Sequence, residues 1–155
     1  VYFENDFRNT EFEGVDEKQI IDLLYKSLGK DQLTVRMHPR NPKDKYQSQG
    51  YIIDQNNKNS WEDILVALDN LNDLALITLN STAVFTPKMI YGKEPVIVIL
   101  GKMIMNEYSY QPWAQYFWDD KYSKFVQRIH ESYNNKKKVI IPESFDEMVT
   151  LLKQL

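Results

Sequence analysis

Apolar positions along the chain follow two alternating rhythms, and their alternation predicts the order of elements. Residues 1–4, VYFE, are β-branched and aromatic and read as a short strand. From Asp16 the segment DEKQIIDLLYKSLG places Ile20, Ile21, Leu24 and Leu28 on one helical face, with Asp16 as cap and Gly29 as stop. LTVRM over 33–37 is a second strand, halted by His38–Pro39. The polar stretch 40–50 predicts a loop, and Tyr51–Ile53 a further short strand. Ser60-Trp61-Glu62-Asp63 has the form of a helix start with Ser60 capping, and Ile64, Leu65, Leu68 and Leu71 share a face behind it.

DLALITL over 73–79 and VIVIL over 96–100 are near-continuous apolar runs, the pattern of parallel strands covered on both faces. Between them, Ser81 to Tyr91 predicts a helix stopped by Gly92, with Pro87 forcing a kink or an irregular turn. Residues 101–110 follow neither period. A helix is expected from about Trp113 to Tyr133, a last strand over 139–141, and a capping box at Ser144-x-x-Glu147 opening a terminal helix. Strands alternating with helices specify an open α/β sheet. The chain shows no internal repeat and no low-complexity segment.

Composition narrows the class. A chain of 155 residues fits one domain with an ordinary core. Its 43% hydrophobic and 26% charged residues lie within the globular range rather than the disordered one. A net charge of −3 argues against a general nucleic-acid binder, which normally carries a basic face. The basic residues are nevertheless uneven, with Arg36, Arg40, Lys43 and Lys45 in one stretch. The absence of cysteine excludes disulfides and thiolate metal sites and fits a cytoplasmic setting. No apolar run approaches the roughly 18 residues of a membrane-spanning helix. The opening VYFENDF enters strand-like sequence with no secretory pattern, as expected of a domain excised from a longer chain.

In an open parallel sheet, ligands bind beyond the carboxyl ends of the strands, and three places there carry chemistry. His38–Pro39–Arg40 directly follows the 33–37 strand, and the proline holds the imidazole at the strand tip. A histidine there can donate to a phosphate or protonate a leaving group. The alternative is a turn histidine satisfied by backbone. Asn80–Ser81–Thr82 follows the 73–79 strand at a helix start, where free N–H groups and partial positive charge receive anions. Ordinary capping by Ser81 accounts for one of the two hydroxyls. Glu62 lies in the first turn of the intervening helix, where a carboxylate can accept from both ribose hydroxyls, or simply complement the helix N-terminus. The order of the three, each at an element end, directs them to one crevice.

The succession R-x-HPR, short strand, SWEDIL, apolar strand, NSTA, helix, YGKEPVIVI resembles the C-terminal half of bacterial GT-B sialyltransferases, nearest to the lipooligosaccharide and capsule group. The resemblance runs over about residues 1 to 100. It implies a Rossmann-like parallel sheet with helices on both faces, acting as the donor domain for CMP-sialic acid in bacterial surface polysaccharide or lipooligosaccharide synthesis. It implies that His38 contacts the donor phosphate as general acid or electrostatic stabiliser. Ser81 and Thr82, with Asn80 beside them, would bind the same phosphate, Glu62 the ribose, and the Arg36, Pro39 and Arg40 stretch would line the donor site. Where the family often has lysine two residues before the histidine, this chain has Arg36. In part of the group the general base is an aspartate just before the helix leading to the HP strand, the location of Asp16, which is also an ideal helix cap. The acidic D/E-D/E-G motif tied to that role in related enzymes belongs to the other half of such enzymes, and Glu11-Phe12-Glu13-Gly14 matches it poorly. The resemblance further implies no metal or other cofactor, a glycan acceptor, a partnering N-terminal acceptor domain without which no transfer occurs, and residence in the cytoplasm or at the inner membrane face.

CDP-glycerol glycerophosphotransferases share the HP turn and a serine pair after an apolar strand. Their second motif usually has an aspartate and a tyrosine ahead of the serines, where this chain has Leu79-Asn80. A different class of reading is a non-catalytic α/β binding module. The remaining features read as structural. His130 lies in a helix with no partner at ligand spacing, and Lys136–Lys138 is a solvated turn or a weak contact to anionic lipid. The aromatic stretch Tyr108, Tyr110, Trp113, Tyr116, Phe117, Trp118 and Tyr122 is dense enough to serve as core, or as a face meeting another domain, a second subunit of a homodimer or a membrane surface.

Overall fold

The computed structural model describes residues 1–8, 10, 12, 14–42, 46, 49–54, 58–68, 70–71 and 73–154. Six strands form one sheet: β1 (Tyr2–Phe3), β2 (Thr34–Arg36), β3 (Ile52–Ile53), β4 (Ala75–Thr78), β5 (Val96–Ile99) and β6 (Val139–Ile140). Every pairing is parallel, and the order across the sheet is β3-β2-β1-β4-β5-β6. That is the Rossmann order, with its topological switch between β1 and β4. The helices are α1 (Glu17–Leu28), α2 (Trp61–Ala67), α3 (Thr86–Tyr91), α4 (Gly101–Glu107), α5 (Asp120–Ser132) and α6 (Phe145–Leu152).

The two-residue period of the strands sorts side chains onto two cores. Tyr2, Val35, Ile77 and Val98 pack on one face with Ile20, Ile21 and Leu24 of α1, Met103 and Ile104 of α4, and Met148 and Leu152 of α6. Phe3, Leu76, Ile97 and Ile99 point the other way, onto Trp61 and Leu65 of α2, Val84 and Phe85 before α3, and Val126 and Ile129 of α5. Both faces of the sheet are therefore covered, which is why β5 is apolar throughout and β4 is apolar up to Thr78. The expected Rossmann-like α/β fold is what forms. No helix among the described residues is long and apolar enough to cross a membrane.

Element boundaries depart from expectation where local chemistry intervenes. Pro87 does not kink a helix: a 3-10 turn over Thr82–Phe85 comes first, and Pro87 falls in the first turn of α3, where its missing N–H is harmless. The long helix expected from Trp113 to Tyr133 is two pieces. A 3-10 segment, Ala114–Trp118, ends at Asp119, whose carboxylate accepts from the Tyr122 N–H at 2.7 Å and starts α5 afresh. Residues 101–107, of no clear period, are helical as α4.

Gly101 opens α4 under severe crowding. A Cβ added there would stand 2.5 Å from the Phe117 carbonyl oxygen and 3.2 Å from that of Leu79. Both obstacles are backbone, so Gly101→Ala is expected to destabilise the domain by about 1–3 kcal/mol through overpacking. A urea midpoint unchanged from wild type would show that the α4 junction yields freely.

Candidate functional site

The carboxyl edge of the sheet gathers the residues singled out by their sequence. Phe3 is level with Arg36 on one side and Thr78 on the other, and Thr78 is level with Ile99. Carried two residues further, that register sets Asn5, His38, Asn80 and Gly101 along one line beyond the strand ends. β1 lies between β2 and β4, so the His38 and Asn80–Ser81 turns flank it about two strand spacings apart, roughly 10 Å.

His38–Pro39–Arg40–Asn41 is a β-turn closed by the Asn41 N–H donating to the His38 carbonyl at 2.9 Å, with proline at the position whose φ it already satisfies. The His38 backbone N–H donates to Oε2 of Glu4 at 3.0 Å, and its Nδ1 accepts from the Arg40 N–H at 3.3 Å. With Nδ1 an acceptor, the ring proton of the neutral imidazole resides on Nε2. Partial burial, then the Arg40 charge, hold the imidazole below its ordinary value, so it is neutral at pH 7. The turn thus presents a neutral N–H donor, with the largely exposed Arg40 guanidinium beside it.

The second turn is fixed from below. The Ser81 N–H donates to Oγ1 of the fully buried Thr78 at 2.7 Å, and the Ser81 hydroxyl oxygen caps the helical segment by accepting from the Ala83 N–H at 3.4 Å. Its proton remains available to an incoming acceptor, as does that of the exposed Thr82. Trp61 stitches the start of α2 to this turn, its Nε1–H donating to the Ala83 carbonyl at 3.0 Å. Glu62, the residue after Trp61, is exposed in the first turn of α2.

Arg36, expected to line the donor site, is 7% exposed and its guanidinium is engaged within the protein. It donates to Asp54 Oδ2 at 2.6 Å and to the Asn59 carbonyl at 2.6 Å, and lies over the Trp61 ring at 5.6 Å. Its position two residues before His38 makes it the tie between the β2 tip and the start of α2. In that place it positions the site.

Asp16 caps α1, accepting from the Lys18 N–H at 3.1 Å, and is exposed. Among the described residues no bond joins it to His38, so the two are neighbours of one edge rather than a dyad. Glu11, Glu13, Lys43 and Lys45 lie outside the described residues. His130 is half-buried beside Trp118, Val126 and Ile141, a packing position.

Beneath the His38 turn lies a buried polar cluster that sequence reasoning missed. Glu4, 2% exposed, accepts from the Tyr46 hydroxyl at 2.7 Å as well as from His38. Glu17 of α1 accepts from the Tyr2 hydroxyl at 2.6 Å and from the Asn5 backbone and side chain at 3.0 and 2.9 Å. Burial, with the Glu4 charge adding to it, pushes Glu17 up to about 7 against those hydrogen bonds. The Asn41 amide donates to the Asn5 carbonyl at 3.1 Å, joining the His38 turn to the end of β1. Asp6 holds Arg8 at 2.8 Å and Arg40 at 3.6 Å, and the Arg8 hydrogen bond keeps its carboxyl far below the usual range. The available signal was Glu4-Asn5-Asp6 directly after an apolar strand. Glu17 is the first residue of the helix that Asp16 caps, a position where an acid ordinarily just complements the helix N-terminus.

Among the described residues no group of three or more His, Asp or Glu side chains could hold a metal ion. A wider hollow of about 560 Å³ opens at the amino ends of the strands, between Val1, Leu33, Thr34, Ala75 and Leu152. It is at the opposite end from where parallel sheets bind ligands. No protein-family model, curated protein or solved structure matches the chain.

Proposed function

We propose that this domain binds the nucleotide of a CMP-sialic acid donor and serves a sialyltransferase-like enzyme of bacterial surface glycan synthesis. One observation carries the reading: the His38 turn, the Ser81–Thr82 turn and Glu62 occupy one edge of a Rossmann-like sheet, tied together through Arg36, Trp61 and Ala83. The geometry supports a phosphate and a ribose. Cytidine and sialic acid come from the resemblance of the sequence.

In this reading an acceptor hydroxyl, relieved of its proton by a carboxylate, attacks the anomeric carbon of sialic acid, and CMP departs with inversion. Negative charge then accumulates on the leaving phosphate. His38 Nε2–H, the Ser81 and Thr82 hydroxyls and Arg40 meet it with donors fixed in advance, which is where such sites gain most. A neutral His38 acts as donor. It stabilises the departing phosphate through Nε2–H and keeps its proton, while Nδ1 stays engaged by the Arg40 N–H.

Titration calorimetry of the chain with CMP, CDP and UDP tests this. Cytidine nucleotides are expected to bind in preference to UDP, with His38→Ala weakening CMP by roughly tenfold or more through loss of a charge-assisted hydrogen bond. Ser81→Ala should weaken it less. Absence of binding by all three nucleotides would favour a non-catalytic module, and UDP preference would move the domain to another transferase class.

A further inference from the structure

Tyr110 is 73% exposed at the mouth of a cleft of about 220 Å³ that runs between the start of α1 and the aromatic segment after α4. Its walls carry Asp16, Gln19, Tyr108, Tyr110, Gln111 and Trp113. The rings form a tilted array: Tyr108 to Trp113 is 5.5 Å at 37°, and Tyr108 to Tyr110 is 6.3 Å at 41°. Trp113 is set in place from behind. Its ring meets Phe117 edge-on at 6.0 Å, and its Nε1 lies 3.0 Å from where a Cβ on Gly14 would stand. Only glycine at 14 lets the indole sit there undisturbed.

The polar groups of this cleft are unoccupied by the fold. Among the described residues, the side-chain amides of Gln19 and Gln111 and the Tyr110 hydroxyl bond to no protein group. Asp16 accepts one backbone N–H through Oδ1 and keeps its other oxygen for a ligand. Planar amides and a carboxylate around aromatic faces suit a molecule with apolar C–H faces and a rim of hydroxyls. The volume falls below the roughly 300 Å³ at which drug-sized sites begin, so it takes one ring rather than a whole nucleotide. Charge separates it from the phosphate site as well. Among the described residues that line it, Asp16 carries the one formal charge, which disfavours an anion and tolerates a neutral polyol.

We propose that this cleft seats one pyranose ring of a neutral glycan, stacked on Tyr110 and Trp113 with its hydroxyls bonded to Gln19, Gln111 and Asp16. Its identification as the acceptor sugar, with a hydroxyl beside Asp16, rests on the transferase reading. The stacking site itself does not.

The test is a nitrogen–proton NMR titration of the 155-residue chain with lactose and, separately, with CMP, following the Trp113 indole signal and the backbone amides near His38 and Ser81. Lactose is expected to shift the Trp113 indole at millimolar concentration. Tyr110→Ala, at an exposed position that leaves the core intact, should weaken that response by roughly three- to tenfold through loss of one stacked ring. Trp113→Phe, which keeps a ring there, should retain part of the affinity, read from the Tyr110 and Gln111 amides. CMP should move the His38 and Ser81 amides only. Lactose without effect on Trp113, or CMP moving that indole as a stacked base would, overturns the sugar cleft. Lactose binding without CMP binding sustains the cleft and removes the donor-site reading instead.

Discussion

Arg36→Ala is expected to destabilise the domain by about 3–5 kcal/mol, the order of effect that follows when one member of a buried ion pair is removed and the other is left behind. Asp54 is the group left behind, with a side chain 16% exposed and the Arg36 guanidinium at 2.6 Å as partner. The loss spreads further, because Arg36 also holds the Asn59 carbonyl and lies over Trp61, so the start of α2 loses its anchor to β2. Urea unfolding of Arg36→Ala and of the double variant with Asp54→Asn measures both effects. The double variant should recover a good part of the stability, since it also removes the charge that the Arg36 guanidinium balances. If Arg36→Ala melts like wild type but no longer binds CMP, the arginine touches ligand and its positioning role is wrong.

Glu17→Gln is expected to act in the opposite direction and only above acidic pH. The Glu17 carboxyl has an ordinary value of 4.5 and is pushed up to about 7 in the folded chain. The folded state therefore holds this proton more tightly than the unfolded one. The resulting stabilisation is complete below pH 4.5 and drains away as pH rises through about 7, amounting to roughly 3 kcal/mol across that span. Glutamine is neutral throughout and keeps an oxygen for the Tyr2 and Asn5 donors. The variant should match wild type near pH 4 and exceed it by up to about 3 kcal/mol at pH 8. Denaturation midpoints at the two pH values settle this, and parallel curves for the two proteins would show that Glu17 titrates normally.

The periodic parts of the sequence announced the fold because burial on one or both faces writes itself into spacing. LITL and VIVI could only be strands covered twice, and IIDLL only the inward stripe of a helix. The departures occur where one side chain redirects the backbone. Asp119 restarts a helix that apolar spacing alone would continue, and Pro87 moves into a first turn because Thr82–Phe85 winds as 3-10 ahead of it. At the site, the exposed features were legible: a histidine at a strand tip, hydroxyls at a helix start, a carboxylate at another. The buried polar groups behind them were not. Arg36 reads as a surface cation until Asp54, eighteen residues on, is seen to meet it. Glu4 and Glu17 sit in positions that usually face water, and only the tertiary pairing with Tyr46, Tyr2 and Asn5 makes them interior.

Strand length gives the edge an uneven mechanical footing. β4 and β5 share four registered pairs, whereas β2 and β3 share two and β1 contributes only two residues. The Ser81 turn springs from the deeper ladder and the His38 turn from the shallower one. A bound anion spanning both would join a slowly opening cooperative unit to one that opens more readily. Part of its contact energy would go into slowing amide exchange across β2 and β3, and the measured affinity would fall short of the contacts made by that amount.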